Sequence, residues 1–389
     1  MLTFRSYLKK VYHDISKEVV KSWITPDKEF GRGILRRLDY AYGFDQENGN
    51  PMQIKNEDVN PLGLLHILER YHDVDEDEQI RALVEQVRED CETIKDLHYK
   101  FLVADYEKFN KKTTKFLNDI FISLDFYGNV LTTTLPAQTI IYRMRKIDKP
   151  EHPNDSRIEF FHVPFSKRYL MGTYRYSIPG YPSLYGSSTL YGCWEEMGRE
   201  DVTEYGYAAL KTTNAIQFLD LRWRFDSELT ANEDQLAAYI LRLPIIIACS
   251  MQVQHAADKF VPEYIFPQQI FQWLISKLRK DTKNKARTTL GVIYSSTKHD
   301  VWEALCSNEI KIDEVTNYAL LAYISPDDIT QYSETLAKKL NVQVPQWIDK
   351  HVSAKKSPYQ ILTSIQTELS TTHLTYWKNM SQYIGDNRI

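Results

Sequence analysis

Cysteine is scarce and never paired: Cys91, Cys193, Cys249 and Cys306 lie far apart in a chain of 389 residues. That spacing leaves no ligand cluster for a structural zinc and no disulfide framework, so no metal is expected and the four read as buried thiols. Long apolar runs are lacking too. The longest, Leu243 to Cys249 in LPIIIACS, is far short of a bilayer span, and the N-terminus shows no apolar signal-peptide core, which predicts a cytoplasmic protein without a membrane partner. Nor is there an excess of one charge: the formal net charge is only −4, with no general attraction to nucleic acid or anionic lipid. Nucleic acid is therefore not expected as a partner, and any anion must be held locally. There is no internal repeat and no low-complexity segment. The length predicts two or three domains, each with its own core.

What is present begins with helix. Ile80, Leu83, Val84, Val87, Cys91, Ile94 and Leu97 recur at three- and four-residue steps, one apolar stripe, and Phe109, Phe116, Leu117 and Ile120 continue the pattern. Residues 45–61, DQENGNPMQIKNEDVNP, read as a long loop between helices. An RNA-cutting helical module would need an Arg and a His a few residues apart on one helix face. Neither Arg5 with His13 nor Arg88 with His98 has that spacing, so the region is expected to be structural or regulatory.

At NVLTTTLPAQTIIYRMRK the texture changes to Thr, Ile, Val and Tyr, which places a boundary near residue 132. From there to about 325 strand-like runs (TIIYRMR, PSLYGSS, PIIIACSMQV, GVIYSS) alternate with helical ones (NEDQLAAYILRL, PQQIFQWLISKLR), an α+β or α/β pattern. Ser325-Pro326 and Ser357-Pro358 each place a capping hydroxyl before a proline, so the tail is expected to be helical. The domains are thus expected at 1–131, 132–325 and 326–389.

One stretch, residues 173–198 (TYRYSIPGYPSLYGSSTLYGCWEEMG), crowds five tyrosines, an arginine, four glycines and two adjacent glutamates together. IPGYP reads as a tight turn, SLYG as a short strand and STLYGCWEEMG as a helix from near Ser188. Adjacent helix positions point about 100° apart. Glu195 and Glu196 therefore cannot both face one ligand, and one of them is expected to be solvated.

The order IYRMR, YRYSIPGYPSLYGSSTLYGCWEE, PEYIFPQQIFQWL, GVIYSS resembles the RES domain family, named for an arginine, a glutamate and a serine, over roughly residues 135 to 320. The resemblance implies an ADP-ribosyltransferase-like α+β catalytic domain, flanked by a helical N-terminal domain and a helical C-terminal tail. It also implies a toxin or defence effector that takes NAD+ as substrate. Arg143 in IYR matches the first family arginine, with Arg145 two residues on as the alternative; Arg175 in TYRYS matches the second. Tyr185 matches the family tyrosine, Glu196 is preferred over Glu195 for the acid, and Ser296 over Ser295 for the serine.

In such a site Arg143 and Arg175 would grip the diphosphate, since planar guanidinium groups bind it bidentately. Glu196 would stabilise the oxocarbenium-like transition state as the nicotinamide–ribose bond breaks. Tyr185 and Ser296 would orient the leaving group. The expected activity is NAD+ glycohydrolase or phosphorylase. The alternatives are a protein ADP-ribosyltransferase using the same site and a nucleotide-sensing module without turnover. A separate antitoxin or regulatory protein is the partner the resemblance implies. By residue type alone, Tyr174, Tyr176, Tyr181 and Tyr191 read as packing and His162 and His255 as structural, while Gln268 and Gln269 open a helix without an assigned role. The long connection 146–172 departs from the family pattern and is expected to reshape the pocket.

Overall fold

The computed structural model describes residues 3–16, 33–44, 63–71, 77–126, 132–151, 153–224, 229–254, 259–280, 289–298, 312–323, 331–348, 357–371 and 377–386. The segment 45–61, His255, Cys306 and the Ser325-Pro326 turn lie outside these residues. In chain order the first helices are α1 (Phe4–Asp14), α2 (Ile34–Tyr42), α3 (Leu64–Arg70), α4 (Glu78–Leu102) and α5 (Tyr106–Phe126). Strands β1 (Thr132–Leu135), β2 (Ile140–Lys146) and β3 (Ser183–Ser187) follow, then helix α6 (Leu190–Glu196) and strands β4 (Tyr205–Thr212) and β5 (Ile216–Leu221). Helices α7 (Glu233–Ser250) and α8 (Ile265–Lys280) precede β6 (Thr289–Ser295) and β7 (Thr316–Leu321). The chain closes with α9 (Glu334–Lys339), β8 (Leu340–Gln343), β9 (Gln346–Trp347), α10 (Pro358–Thr371), β10 (Trp377–Asn379) and α11 (Met380–Asp386).

The chain divides into two compact units, one of residues 1–131 with 223–273, the other of 132–222 with 274–389. In the first, α4 begins where the Asp77 carboxylate accepts from the Gln79 and Ile80 N–H groups, and it buries the stripe from Ile80 to Leu97 read from the periodicity. Residues 244–250 depart from expectation. Read as a strand, they form the second half of α7, with Pro244 inside the helix and every side chain from Leu236 to Ser250 buried. An unbroken apolar run carries no period, so burial on all sides decides for helix. PEYIFPQQIFQWL also belongs largely to this unit. There Glu263 forms a buried ion pair with Arg37 at 2.5 Å, and Arg37 also donates to the Gln252 carbonyl at 2.7 Å.

The second unit is built on a ten-stranded mixed sheet in the order β1-β5-β6-β7-β3-β2-β4-β8-β10, with β9 paired to β4. β5 and β6 run parallel and the other pairs antiparallel. Successive strand residues point to opposite faces, which yields two cores. One gathers Ile141, Leu184, Leu210, Ile293, Leu320 and Val342; the other gathers Tyr142, Met144, Tyr207 and Ala209 with Leu190 and Cys193 of α6 and Ile361 and Leu362 of α10.

The tail corrects the expectation of helix alone. Residues 340–343, 346–347 and 377–379 are strands that extend the sheet from β4. They are too short for a period of two to show in sequence, and their pairing partners lie far away along the chain. Ser357 does cap a helix as expected, its hydroxyl accepting the Gln360 N–H at 3.3 Å. Within the connection 146–172, Phe160, Phe161, His162 and Phe165 are buried, and the Phe161 ring joins the first core, while residues 166–170 are exposed.

Candidate active site

The stretch 173–198 folds as turn, strand and helix because each junction is closed by a specific contact. At the turn, the Tyr174 N–H donates to the Ser177 hydroxyl at 2.8 Å, and that hydroxyl donates back to the Tyr174 carbonyl at 2.9 Å. Gly186 in β3 is required by close approach, since a Cβ there would lie 2.4 Å from the Ile141 side chain and 2.8 Å from the Tyr142 carbonyl oxygen. Thr189 caps α6, its hydroxyl accepting the Gly192 N–H at 2.9 Å. Gly192 in turn seats α6 on β3, because a Cβ would meet the Ser187 hydroxyl at 2.2 Å.

Tyr142, Ser187, Asn317 and Tyr294 form one cross-strand row over β2, β3, β7 and β6. The row lies on the face that α6 covers, since Tyr142 shares its core with Leu190 and Cys193. Glu196, the last residue of α6, reaches this face. Its Oε1 accepts from the Ser296 hydroxyl at 2.6 Å and from the Asn317 side-chain amide at 2.8 Å. A carboxylate at a helix C-terminus meets the negative end of the helix dipole, and these two donors offset that cost. Ser296 is fully buried just past β6, its N–H donating to the Val315 carbonyl at 3.0 Å. Ser295, the alternative, is buried in the ladder opposite Thr316.

Glu195 is not solvated as expected. Its side chain is 2% exposed and chelated by Arg199, whose Nε and Nη2 lie 2.9 Å from its oxygens. Burial, with Glu195 as hydrogen-bond partner, pushes the Tyr191 phenol up to about 12. The two adjacent carboxylates therefore have separate roles: Glu195 closes the end of α6 onto Arg199, and Glu196 turns to the sheet.

The two arginines are engaged on different segments. Arg175 is buried and donates from Nη2 to the Thr297 hydroxyl at 2.9 Å, next to Ser296. Arg143 stands on β2 just past that strand's single register pair with β3, Tyr142 with Ser187, and its Nη1 donates to the Tyr185 carbonyl. Burial, with the nearby Arg145 charge, pulls the Arg143 pKa down to about 10, so the group stays cationic at neutral pH. Arg145 is engaged elsewhere, on the Glu159 carbonyl and carboxylate.

The Tyr185 hydroxyl donates to the Tyr176 carbonyl and accepts the Tyr176 N–H at 3.1 Å, so it anchors the turn beside Arg175 instead of standing ready as a ligand tether. Its ring lies 5.7 Å from that of Tyr174. Tyr176 packs as expected, fully buried against Tyr294, but Tyr174 is 48% exposed and is not a core residue. The five candidate residues thus come from separate segments: Glu196 is bonded to Ser296, Arg175 to Thr297 beside it, and Arg143 to the Tyr185 carbonyl.

Asn317 was not singled out from sequence. The signal available was one amide inside the apolar run VTNYALLAY, which becomes a buried polar group on a central strand. His162 is structural: Nε2 accepts the Ser333 N–H at 2.8 Å, Nδ1 faces the Val163 carbonyl at 2.8 Å, and burial pulls its pKa down to about 4. Gln268 and Gln269 lie on α8 in the first unit. Among the described residues no group of three or more His, Cys, Asp or Glu could hold a metal ion, and no helix is long and apolar enough to cross a membrane.

The fold defines a mixed α+β protein in which Glu196, at the end of a helix, is held by a hydroxyl and an amide from the sheet, with Arg143 and Arg175 engaged on other residues of the same unit. No family model matches the chain, and no solved structure matches it. The chain is similar to the protein named "Putative toxin YopC" of Bacillus subtilis (strain 168), 28% identical over 232 residues. That alignment takes in 57% of this chain and 49% of the relative, so the match spans about half of that protein's length.

Proposed function

We propose that this protein is a toxin that cleaves NAD+ at the nicotinamide–ribose bond, with water or phosphate as acceptor. The reading is supported above all by the hydrogen bond that joins Glu196 to Ser296, 100 residues apart, with Arg175 held on the adjacent Thr297 and Arg143 on the Tyr185 carbonyl. The printed name of the similar protein supports the toxin role. Tyr185 O takes one N–H of the five that the Arg143 guanidinium carries, which leaves donors for a diphosphate, and Arg175 supplies a second planar cation.

In the reaction the C1′–N1 bond breaks and its electron pair leaves with neutral nicotinamide. Positive charge develops on the ribose, where the Glu196 carboxylate stabilises it electrostatically. A water oxygen then bonds to C1′, which yields ADP-ribose and one proton; phosphate in place of water yields the ribose 1-phosphate ester. Transfer to a protein side chain would use the same first step, and a sensing module would bind without it.

Incubation of the purified full chain with labelled NAD+ and a cell extract separates these readings. Free nicotinamide without labelled protein is the expected result, and labelled protein would favour transfer. Tight binding with neither product would make the domain a sensor, and no binding at all would end the NAD+ reading.

A further inference from the structure

We infer that Asn317 is a positioning residue for this chemistry: together with Ser296 it pins Oε1 of Glu196 and so leaves Oε2 as the oxygen that meets the substrate. The inference rests on the NAD+ reading above and goes beyond it by separating the two oxygens of the carboxylate. Both donors converge on Oε1, at 2.6 Å from Ser296 and 2.8 Å from Asn317, and among the described residues no donor reaches Oε2. A carboxylate whose task was only to bridge secondary structure would distribute its donors over both oxygens, as Glu195 does with Arg199.

The position of Asn317 is costly unless the amide is used. Every residue of β7 is buried, and Asn317 itself is 2% exposed on a strand flanked on both sides by others. An apolar residue would fill the site without the expense of desolvating an amide. Ala319, two residues on and facing the same way, is such a residue. Ser296 approaches from the end of β6 and Asn317 from the middle of the cross-strand row. Two donors from two neighbouring strands fix both the position and the rotation of a side chain with several torsions of its own. This is the kind of support that holds a reacting group in its productive geometry.

The test uses the full chain, with kcat and KM for nicotinamide release and a thermal melt for each variant. Asn317→Asp keeps the shape and turns the donor into an acceptor; Asn317→Leu keeps roughly the volume and removes the polarity. Both are expected to lower kcat by about 10- to 100-fold, the scale of a reacting group displaced by about 1 Å, with KM unchanged. Combined with Ser296→Ala, the loss in kcat is expected to be smaller than the product of the single losses, because either deletion already frees the same oxygen. Folded Asn317 variants with wild-type kcat, or strictly multiplicative losses, would overturn the inference and leave the NAD+ reading intact. Failure of both Asn317 variants to fold would make the residue structural and would equally overturn it. A wild-type protein that releases no nicotinamide would remove the NAD+ reading itself, and the inference with it.

Discussion

Replacing each of the two adjacent glutamates by glutamine should have opposite consequences. In Glu196→Gln the side-chain carbonyl can take the place of Oε1 and accept from Ser296 and Asn317 as before, so shape and NAD+ binding are preserved. The amide nitrogen then replaces Oε2, and the negative charge proposed to face the ribose is gone. The expected loss in kcat is about 10² to 10³, or about 2.7 to 4 kcal/mol, the scale of one well-placed electrostatic stabiliser in a water-excluded site. In Glu195→Gln the buried carboxylate loses its chelation by Arg199, but the Arg199 side chain is 38% exposed and water can take over its donors. The cost is therefore about 1–2 kcal/mol of stability, with kcat unchanged. Single-turnover nicotinamide release and thermal melting on both purified variants read the two effects separately. A folded Glu195→Gln protein that is inactive beside an active Glu196→Gln protein would refute the assignment by one residue. Two fully active variants would refute the enzyme reading.

Arg175→Ala should weaken NAD+ binding by about 1.5 to 3 kcal/mol, roughly 10- to 150-fold in Kd, and Arg175→Lys should restore only part of it because an ammonium lacks the planar fork; calorimetry measures both. A chain beginning at Thr132 should not be a stable, isolated catalytic domain. It would keep α7, whose side chains from Leu236 to Ser250 are buried in a unit that residues 1–131 help to build, so aggregation or binding of a hydrophobic dye is expected. The buried His162, with its pKa pulled down to about 4 against the usual 6.5, binds fewer protons folded than unfolded in that window. Its contribution to stability is present above pH 6.5 and falls by about 2 kcal/mol on acidification to pH 5. An NMR titration of this imidazole that gave an ordinary histidine pKa would refute the assignment.

The parts of the molecule legible in the sequence are those governed by neighbours along the chain. The apolar stripe of α4, the Ser357 cap, and the strands β2, β3 and β6 follow from side-chain period and local stereochemistry. Arg143, Arg175, Tyr185, Glu196 and Ser296 could be named only through the resemblance of their motifs, in order, to the RES domain family. Where locality failed, the reading failed. Residues 244–250 carry no period, and the strands of the tail are two to four residues long.

The sequence by itself determined which segments are helix or strand where a period exists, and which residue types are candidates for chemistry. Only the tertiary structure decided what each candidate touches. The separate fates of Glu195 and Glu196 depend on Arg199 four residues on and on Ser296 and Asn317 at least 100 residues on, the second a distance at which sequence carries no geometric information. The Tyr185 hydroxyl was engaged by the Tyr176 backbone, an outcome set by how the turn folds onto β3. Asn317 acquired its partner because β7 is inserted between β3 and β6, which brings an amide from late in the chain beneath the end of a helix formed much earlier. Such pairings arise from the packing of elements on one another, which is specified by the whole chain together and by no stretch of it alone.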